Sequence, residues 1–316
     1  MLRKTKARLL AMVLTVGIVG MTGCSKQEKQ EEVKTVTLVL DKGGVNDESF
    51  NQLAWEGAQE ASEEYGVIVK YLESNSDADY KTNVETAVDM KSDLIIGVGF
   101  NLTEAIGDAA ESYPEQQFAI IDGSFEETPS NVTPILFNEK EAGYLAGLAT
   151  ALSIESDKFG FVGGFEIPAV VNYKDGFEQG LKEVNPNATL FVQYANSFTD
   201  AAKGKAIGAQ MYSNDIDCIM TAAGGVNLGV YESGREQGKY AVAVDMAQSN
   251  ISPEVIVTSA LKNVAGGVKD TIGKLVDDKL VGGEVAMYDI TNNGVGYEET
   301  QFIGDKTIKY IIDKIK

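Results

Sequence analysis

The sequence has no histidine, and its 316 residues include only two cysteines, one tryptophan and six prolines. Without imidazole there can be no Ser-His-Asp or Cys-His catalytic arrangement and no zinc site built on a histidine ligand. Cys24 and Cys218 allow at most one disulfide. We expect none, with Cys218 acting as a small buried hydrophobe. Basic charge is also scarce: 27 Lys and Arg face 47 Asp and Glu, a formal net charge of −20. Arg3, Lys4, Lys6 and Arg8 are among those few cations, so the chain beyond them is more acidic still. Such a body has no field to attract a phosphate backbone, which argues against nucleic acid as a partner. Phosphate-binding glycine motifs are missing as well. Gly97-Val98-Gly99 begins a G-x-G, but Leu102 stands where a third glycine belongs, and no G-x-x-x-x-G-K-[ST] occurs. Neither a nucleotide cofactor nor a metal site is expected.

What is present begins with an address. Residues 1–8 are basic, residues 9–20 (LLAMVLTVGIVG) are apolar, and the small-residue stretch MTGC follows. This is the layout of an export signal, shorter than the roughly 20 residues a membrane-spanning helix needs. The MTGC ending resembles the lipobox of bacterial lipoproteins, which makes residues 1–23 a signal peptide and Cys24 the lipidated first residue of the mature chain. Met21 occupies a place where that pattern prefers leucine. A secreted protein with a chance cysteine is the alternative. Residues 24–34 are polar and aperiodic after the cysteine, as a solvated tether should be.

With 44% hydrophobic and 23% charged residues, the remainder can bury the cores of two domains. From Thr35 onward, short apolar runs alternate with stretches of helical period, the mark of βαβ units around a parallel sheet. Strands are expected at 35–40, 67–72, 93–98, 118–122 and 132–137, then again at 159–162, 189–193, 218–222, 240–244 and 255–259. A helix is expected over 50–65, and an Ala/Gly-rich one over 141–152. The residues after 288 are expected to form a loop and hairpin, with a final helix over 307–316. Two doubly wound α/β halves follow, with the first boundary near Phe137. The division is 35–137 plus about 262–287 for one lobe, and 138–261 plus about 288–316 for the other.

In open α/β sheets ligands sit at the carboxyl ends of the strands. The first such end reads DKGGVNDESFNQLAWEG from Asp41, with two glycines, several hydroxyl-binding side chains and Phe50 at a helix start. It reads equally as a turn in which Ser49 caps the helix and Phe50 joins the core. Phe100, Asp122, Gly225 and Asp245 also stand at strand ends, and Lys262 follows the last strand. For any one of the aspartates, helix capping is the competing role.

Seven segments in order (DKGGVNDESFNQLAWEG, DLIIGVGFNLTEAI, FGFVGGFEIPAVVNYKDGFEQG, NSFTDAAKGKA, MTAAGGVNLGVY, AVAVDMAQ and VTSALKNV) closely resemble the successive motifs of the basic membrane protein family. That family includes purine nucleoside receptor lipoproteins of ABC importers. The resemblance implies a type I periplasmic-binding-protein fold: two doubly wound three-layer lobes with a ligand cleft between them. It also implies a base held between aromatic side chains and a ribose held by carboxylates and a lysine. Carried onto this sequence, Asp41 becomes a polar anchor and Phe50 one face of the base sandwich. Asp245 and Lys262 become the ribose clamp, and Gly225 the close backbone approach. Met220 and Phe177 are the candidates for the second stacking face, with Asn46, Asp47, Asn51, Phe100 and Asp122 as neighbours. The implied protein is a monomeric, non-enzymatic receptor lipid-anchored at the extracytoplasmic face of the cell membrane, working with a permease and an ATPase. Rival readings are a different small neutral ligand such as a sugar or furanose, a surface sensor or adhesin, and a nucleoside hydrolase using paired acids such as Asp41 and Asp47.

Overall fold

The alternation of apolar and amphipathic segments resolves into two parallel α/β sheets over residues 33–315, the part of the chain that the computed structural model describes. The first half runs β1 (Thr35–Leu40), α1 (Phe50–Tyr65), β2 (Ile68–Leu72), α2 (Asp79–Asp89), β3 (Leu94–Val98), α3 (Thr103–Ser112), β4 (Gln117–Ile121) and β5 (Val132–Phe137). Helix α4 (Glu139–Ser153) leads to the second half: β6 (Lys158–Gly163), α5 (Pro168–Val184), β7 (Thr189–Tyr194), α6 (Ala201–Ser213), β8 (Cys218–Ala222), α7 (Val226–Gln237), β9 (Tyr240–Asp245) and β10 (Ile256–Lys262). Helix α8 (Val264–Val276), β11 (Ala286–Tyr288), β12 (Val295–Tyr297) and α9 (Asp305–Ile315) complete the chain.

The two sheets share one plan. Their strand orders are β11-β5-β4-β3-β1-β2 and β12-β10-β9-β8-β6-β7. Central strands read as unbroken apolar runs because helices cover both faces; in β3 (LIIGV) every residue is buried. The edge strands β2 and β7 are largely exposed or half-buried, and their sequences, IVKYL and TLFVQY, carry polar residues accordingly.

Three connections pass from one sheet to the other: β5 to β6 through α4, β10 to β11 through α8, and β11 to β12. The expected hairpin after residue 288 does not form. Val295–Tyr297 instead pairs antiparallel with the end of β10, with Val295 opposite Lys262, while β11 extends the other sheet beside β5. Strand β10 also runs on to Lys262, past the expected end at 259, so the lysine is held in a ladder rather than in a loop. Helix α4 packs on α5 at a backbone separation only glycine permits. A methyl group added at Gly143 would lie 2.4 Å from the Tyr173 carbonyl oxygen, and one at Gly176 would lie 2.0 Å from that of Lys140.

Cys218 is a fully buried free thiol in the core, and burial pushes its ionisation up. The expected signal peptide, Cys24 and all but the last two residues of the expected tether lie outside the described residues. Among the described residues, no helix is long and apolar enough to cross a membrane.

Candidate functional site

The carboxyl ends of the two sheets face one another across a cavity of about 680 Å³, open mouth included. The β1–α1 loop contributes Asp41, Asp47, Phe50 and Asn51 to its wall, and the ends of β3 and β4 add Phe100 and Asp122. The second half supplies Ile167 and the first turns of α5, Phe198 from the β7–α6 loop, Gly224 after β8, and Asp245 and Lys262 at the last residues of β9 and β10. Phe50, Asp245 and Lys262, distant in sequence, therefore line one cavity.

The β1–α1 loop is fixed by its own acids. Asp47 oxygens accept from the backbone N–H groups of Ser49 (3.0 Å), Asn51 (2.9 Å) and Gln52 (3.1 Å), covering the amino end of α1. The Asn51 amide donates to Asp41 (2.7 Å) and Asp47 (3.0 Å). This pins the amide nitrogen between two carboxylates and leaves the buried Asn51 Oδ1 without a hydrogen-bond partner. Burial holds both Asp41 and Asp47 above the usual carboxylate range, against the hydrogen bonds that pull them down.

Ser49 stands at the N-cap of α1 but makes no capping bond. Its hydroxyl crosses the cleft and donates to Asp245 Oδ2 at 2.8 Å, while Tyr173 donates to Asp245 Oδ1 at 3.1 Å. Asp122 and Asp245 hold similar places at the ends of the fourth strands, just past β4 and on the last residue of β9, and both have left-handed backbones, with φ of 61° and 67°. Such angles cost a non-glycine residue free energy and persist where the surroundings over-determine them. Neither aspartate caps a helix.

Among the described residues, Lys262 is the only cation on the cavity wall. Its ammonium donates to Asp122 Oδ2 at 2.5 Å and lies 3.0 Å from Glu139 Oε1, with 1% of the lysine side chain exposed. It also lies 5.2 Å from the ring centroids of Phe50 and Phe137. Burial pulls the ammonium down, but Asp122, Glu139 and Asp245 outweigh it and hold the lysine protonated. One cation cannot satisfy three carboxylates, so burial prevails at Asp122 and at Asp245, and both carboxyls are raised. Asp122 Oδ1 is buried and has no partner.

Four expected site residues lie elsewhere. Phe177 is fully buried between α5 and α4, and Met220 is fully buried in the middle of β8, where its side chain belongs to the core beneath the sheet. Gly225 gives its place on the wall to Gly224, whose φ of 56° turns the chain sharply after β8. Asn46 is exposed and off the wall. The second half brings two other aromatics to the cavity, Tyr173 and Phe198, and the Phe198 ring lies directly over Gly164: a methyl there would come within 2.1 Å of it. Phe198, Tyr173 and Glu139 were not expected. The first two sit inside motifs quoted above, and Glu139 is marked only by lying two residues past β5. No cluster of three or more His, Cys, Asp or Glu side chains suited to a metal occurs among the described residues.

Comparison with known proteins agrees with this fold. Residues 34–316 match the family model described as ABC transporter substrate-binding protein PnrA-like. The chain is 35% identical to a CD4+ T-cell-stimulating antigen of Listeria monocytogenes, over 100% of this chain and 95% of that protein. It is 34% identical to the ABC transporter nucleoside-binding protein BmpA of Lactococcus lactis, over 92% and 91%. Among solved structures, an ABC transporter solute-binding protein from Aeropyrum pernix superposes with a TM-score of 0.78 at 27% identity, covering 89% of this chain and 85% of the other. A glucose-galactose binding protein of Geobacillus stearothermophilus, at 17% identity and a TM-score of 0.67, shares the fold. The two parallel sheets are those of the type I periplasmic-binding-protein fold.

Proposed function

The chain belongs to the PnrA-like family of ABC transporter substrate-binding proteins, and from that premise we propose that it captures a purine nucleoside between its two lobes. Membership makes it a binding protein rather than an enzyme. The observation that carries the choice of ligand is the pairing of two rings, Phe50 from one half and Phe198 from the other, on a cavity that also holds acceptors in need of donors. A nucleoside is a flat ring joined to a polyol. The rings offer stacking surface for the base. Asp122 Oδ1 and Asn51 Oδ1, both buried without partners, suit donors on the sugar and on the base respectively. Lys262 and Asp245 complete the grip on the sugar hydroxyls. Asp41 and Asp47 act mainly through Asn51, whose amide they orient, and Phe100 borders the base. The relative named as nucleoside-binding supports the same ligand class.

The surplus of acids over one lysine also sets a limit. A nucleoside is accepted and a nucleotide's phosphate is repelled. In this reading the lobes comprise 35–137 with about 262–287, and 138–261 with about 288–316. They close on the ligand as a monomer, by a hinge through the three connections. Cys24 carries the lipid once residues 1–23 are removed, residues 24–34 tether the lobes to the outer face of the membrane, and a permease with its ATPase receives the ligand.

Titration calorimetry on the purified protein with inosine, guanosine, adenosine, ribose and adenosine monophosphate tests the ligand class. Binding of at least one nucleoside in the micromolar range or tighter is expected, with ribose and the monophosphate at least tenfold weaker. Ribose binding as tightly as the nucleosides, or heat from none of the nucleosides, refutes the reading.

A further inference from the structure

Asp245 is the centre of a three-residue turn. Its φ is 67°, and the Met246 N–H donates to the Val244 carbonyl at 2.9 Å. Turns of this kind are rare and strained for a residue with a side chain. Something must hold the turn, because Asp245 bonds Ser49 across the cleft. The next residues do so through Gln248, which is 2% exposed. The Gln248 side-chain nitrogen donates to the Val244 carbonyl (3.3 Å) and, across the cleft, to the Glu48 carbonyl (3.2 Å). Its side-chain oxygen accepts from Tyr231 at 2.7 Å. Glu48 meets it with a backbone φ of 52°. A strained turn on one lobe thus faces a strained residue on the other, with Gln248 bonded to both.

Gln248 is oriented in turn by a residue from the far end of the chain. Its backbone N–H donates to Ser259 Oγ at 3.1 Å, and that hydroxyl donates to Glu298 Oε2 at 2.6 Å. The Ser249 backbone N–H reaches the same carboxylate at 3.3 Å, and the Ser249 hydroxyl donates to Glu298 Oε1. Glu298 follows directly on β12, the strand delivered by the last connection between the lobes. It does not line the cavity.

We infer that Glu298 is a positioning residue for lobe closure, acting through Ser249, Ser259 and Gln248 on the contact with Glu48. This rests on the binding function proposed above. A carboxylate only accepts, so it fixes the direction of both serine hydroxyls, and Ser259 Oγ in turn holds the Gln248 backbone in place, while Tyr231, donating to the Gln248 side-chain oxygen, turns its amide nitrogen toward the opposite lobe. The ligand sees none of this directly. Loss of Glu298 therefore loosens the closed state and leaves the cavity wall intact.

The test compares Glu298→Ala, Glu298→Gln, Gln248→Ala and the Glu298→Ala/Gln248→Ala double variant by stopped-flow nucleoside binding. Glu298→Ala is expected to speed dissociation about fivefold, the change that one hydrogen bond of ordinary net strength produces, with association nearly unchanged. Glu298→Gln, which keeps one of the two acceptor oxygens, recovers part of the loss. The double variant releases ligand no faster than Gln248→Ala, because both substitutions break one chain of contacts. An unchanged dissociation rate in Glu298→Ala, or effects that multiply in the double variant, overturns the inference. Amide hydrogen exchange without ligand reads the relay independently: Glu298→Ala and Gln248→Ala should both speed exchange at Ser49–Gln52 across the cleft. If the wild type binds no nucleoside, only the ligand assignment fails. Unchanged exchange at those amides sinks the relay itself.

Discussion

Replacing Lys262 by methionine keeps the length of a buried side chain and deletes its charge, which isolates what the cation does for the fold. In the native protein its ammonium sits 2.5 Å from Asp122 and 3.0 Å from Glu139, with side-chain exposures of 10% and 4% for the two acids. Two unit charges about 3 Å apart in an effective dielectric of about 20 attract by roughly 5 kcal/mol. Desolvation of each partner offsets much of that, and breaking a buried pair by removing one member typically costs about 3–5 kcal/mol. We expect Lys262→Met to be destabilised by that amount at pH 8, measured by urea unfolding without ligand. The cost should shrink as pH falls. Asp122 and Asp245 are already raised by burial, and loss of the cation drives them further up, so the folded variant binds more protons than the unfolded chain at intermediate pH. Its stability then rises as pH drops from 8 toward 5. A second substitution, Asp122→Asn, should restore part of the loss at pH 8 by removing one of the stranded charges. A penalty that stays constant from pH 8 to pH 5 would mean that Lys262 acts by packing its stem, and the electrostatic account would be wrong.

Three further outcomes follow from the site. Phe198→Ala should weaken nucleoside binding roughly 5- to 150-fold, the range set by stacking energies of about 1–3 kcal/mol; Met220→Leu, a swap within the core, should leave calorimetric affinity unchanged. Gly164→Ala should lower affinity by displacing the Phe198 ring, since the new methyl falls 2.1 Å from it; a crystal structure showing that ring unmoved would contradict this. Asp122, pushed up to about 7, should lose its proton when a ligand hydroxyl donates to it, so affinity should fall as pH drops below about 7. Calorimetry near pH 6.5 in buffers of different ionisation enthalpy should detect proton release on binding, and buffer-independent heats would refute it.

The fold was legible because its central strands are covered on both faces. Runs such as LIIGV are too short for a buried helix and fit strands covered on both faces, and their regular alternation with helical stretches marked both sheets. The strand pairing after residue 288 was not legible, because β11 and β12 are three residues each and take their partners from distant strands. At the site, residues at a strand end or in the loop that follows it were readable: Asp41, Phe50 at the close of the β1–α1 loop, Asp122 and Asp245 all reach the cavity wall. The aromatic opposite Phe50 was not. On α5, Tyr173 and Phe177 share one helical face a single turn apart, and periodicity cannot say which of them looks into the cleft. Phe198 lies in an irregular loop where no period applies. Ser49 shows the same limit from the other side: its N-cap position promised a bond within the helix, and its hydroxyl bonds Asp245 on the opposite lobe.

The glycine-lined contact between α4 and α5 has a mechanical consequence. Glu139 opens α4 and Tyr173 lies on α5, so the lysine's second counter-ion and one clamp on Asp245 ride on a single stiff block with no room for the helices to slide. Any bending between the lobes must then be taken up by the short stretches of chain that pass between the sheets. A change of ligand preference would come most easily from exchanging side chains on the β1–α1 and β7–α6 loops, while a single added methyl group in that helix pair would be felt at the far side of the cleft.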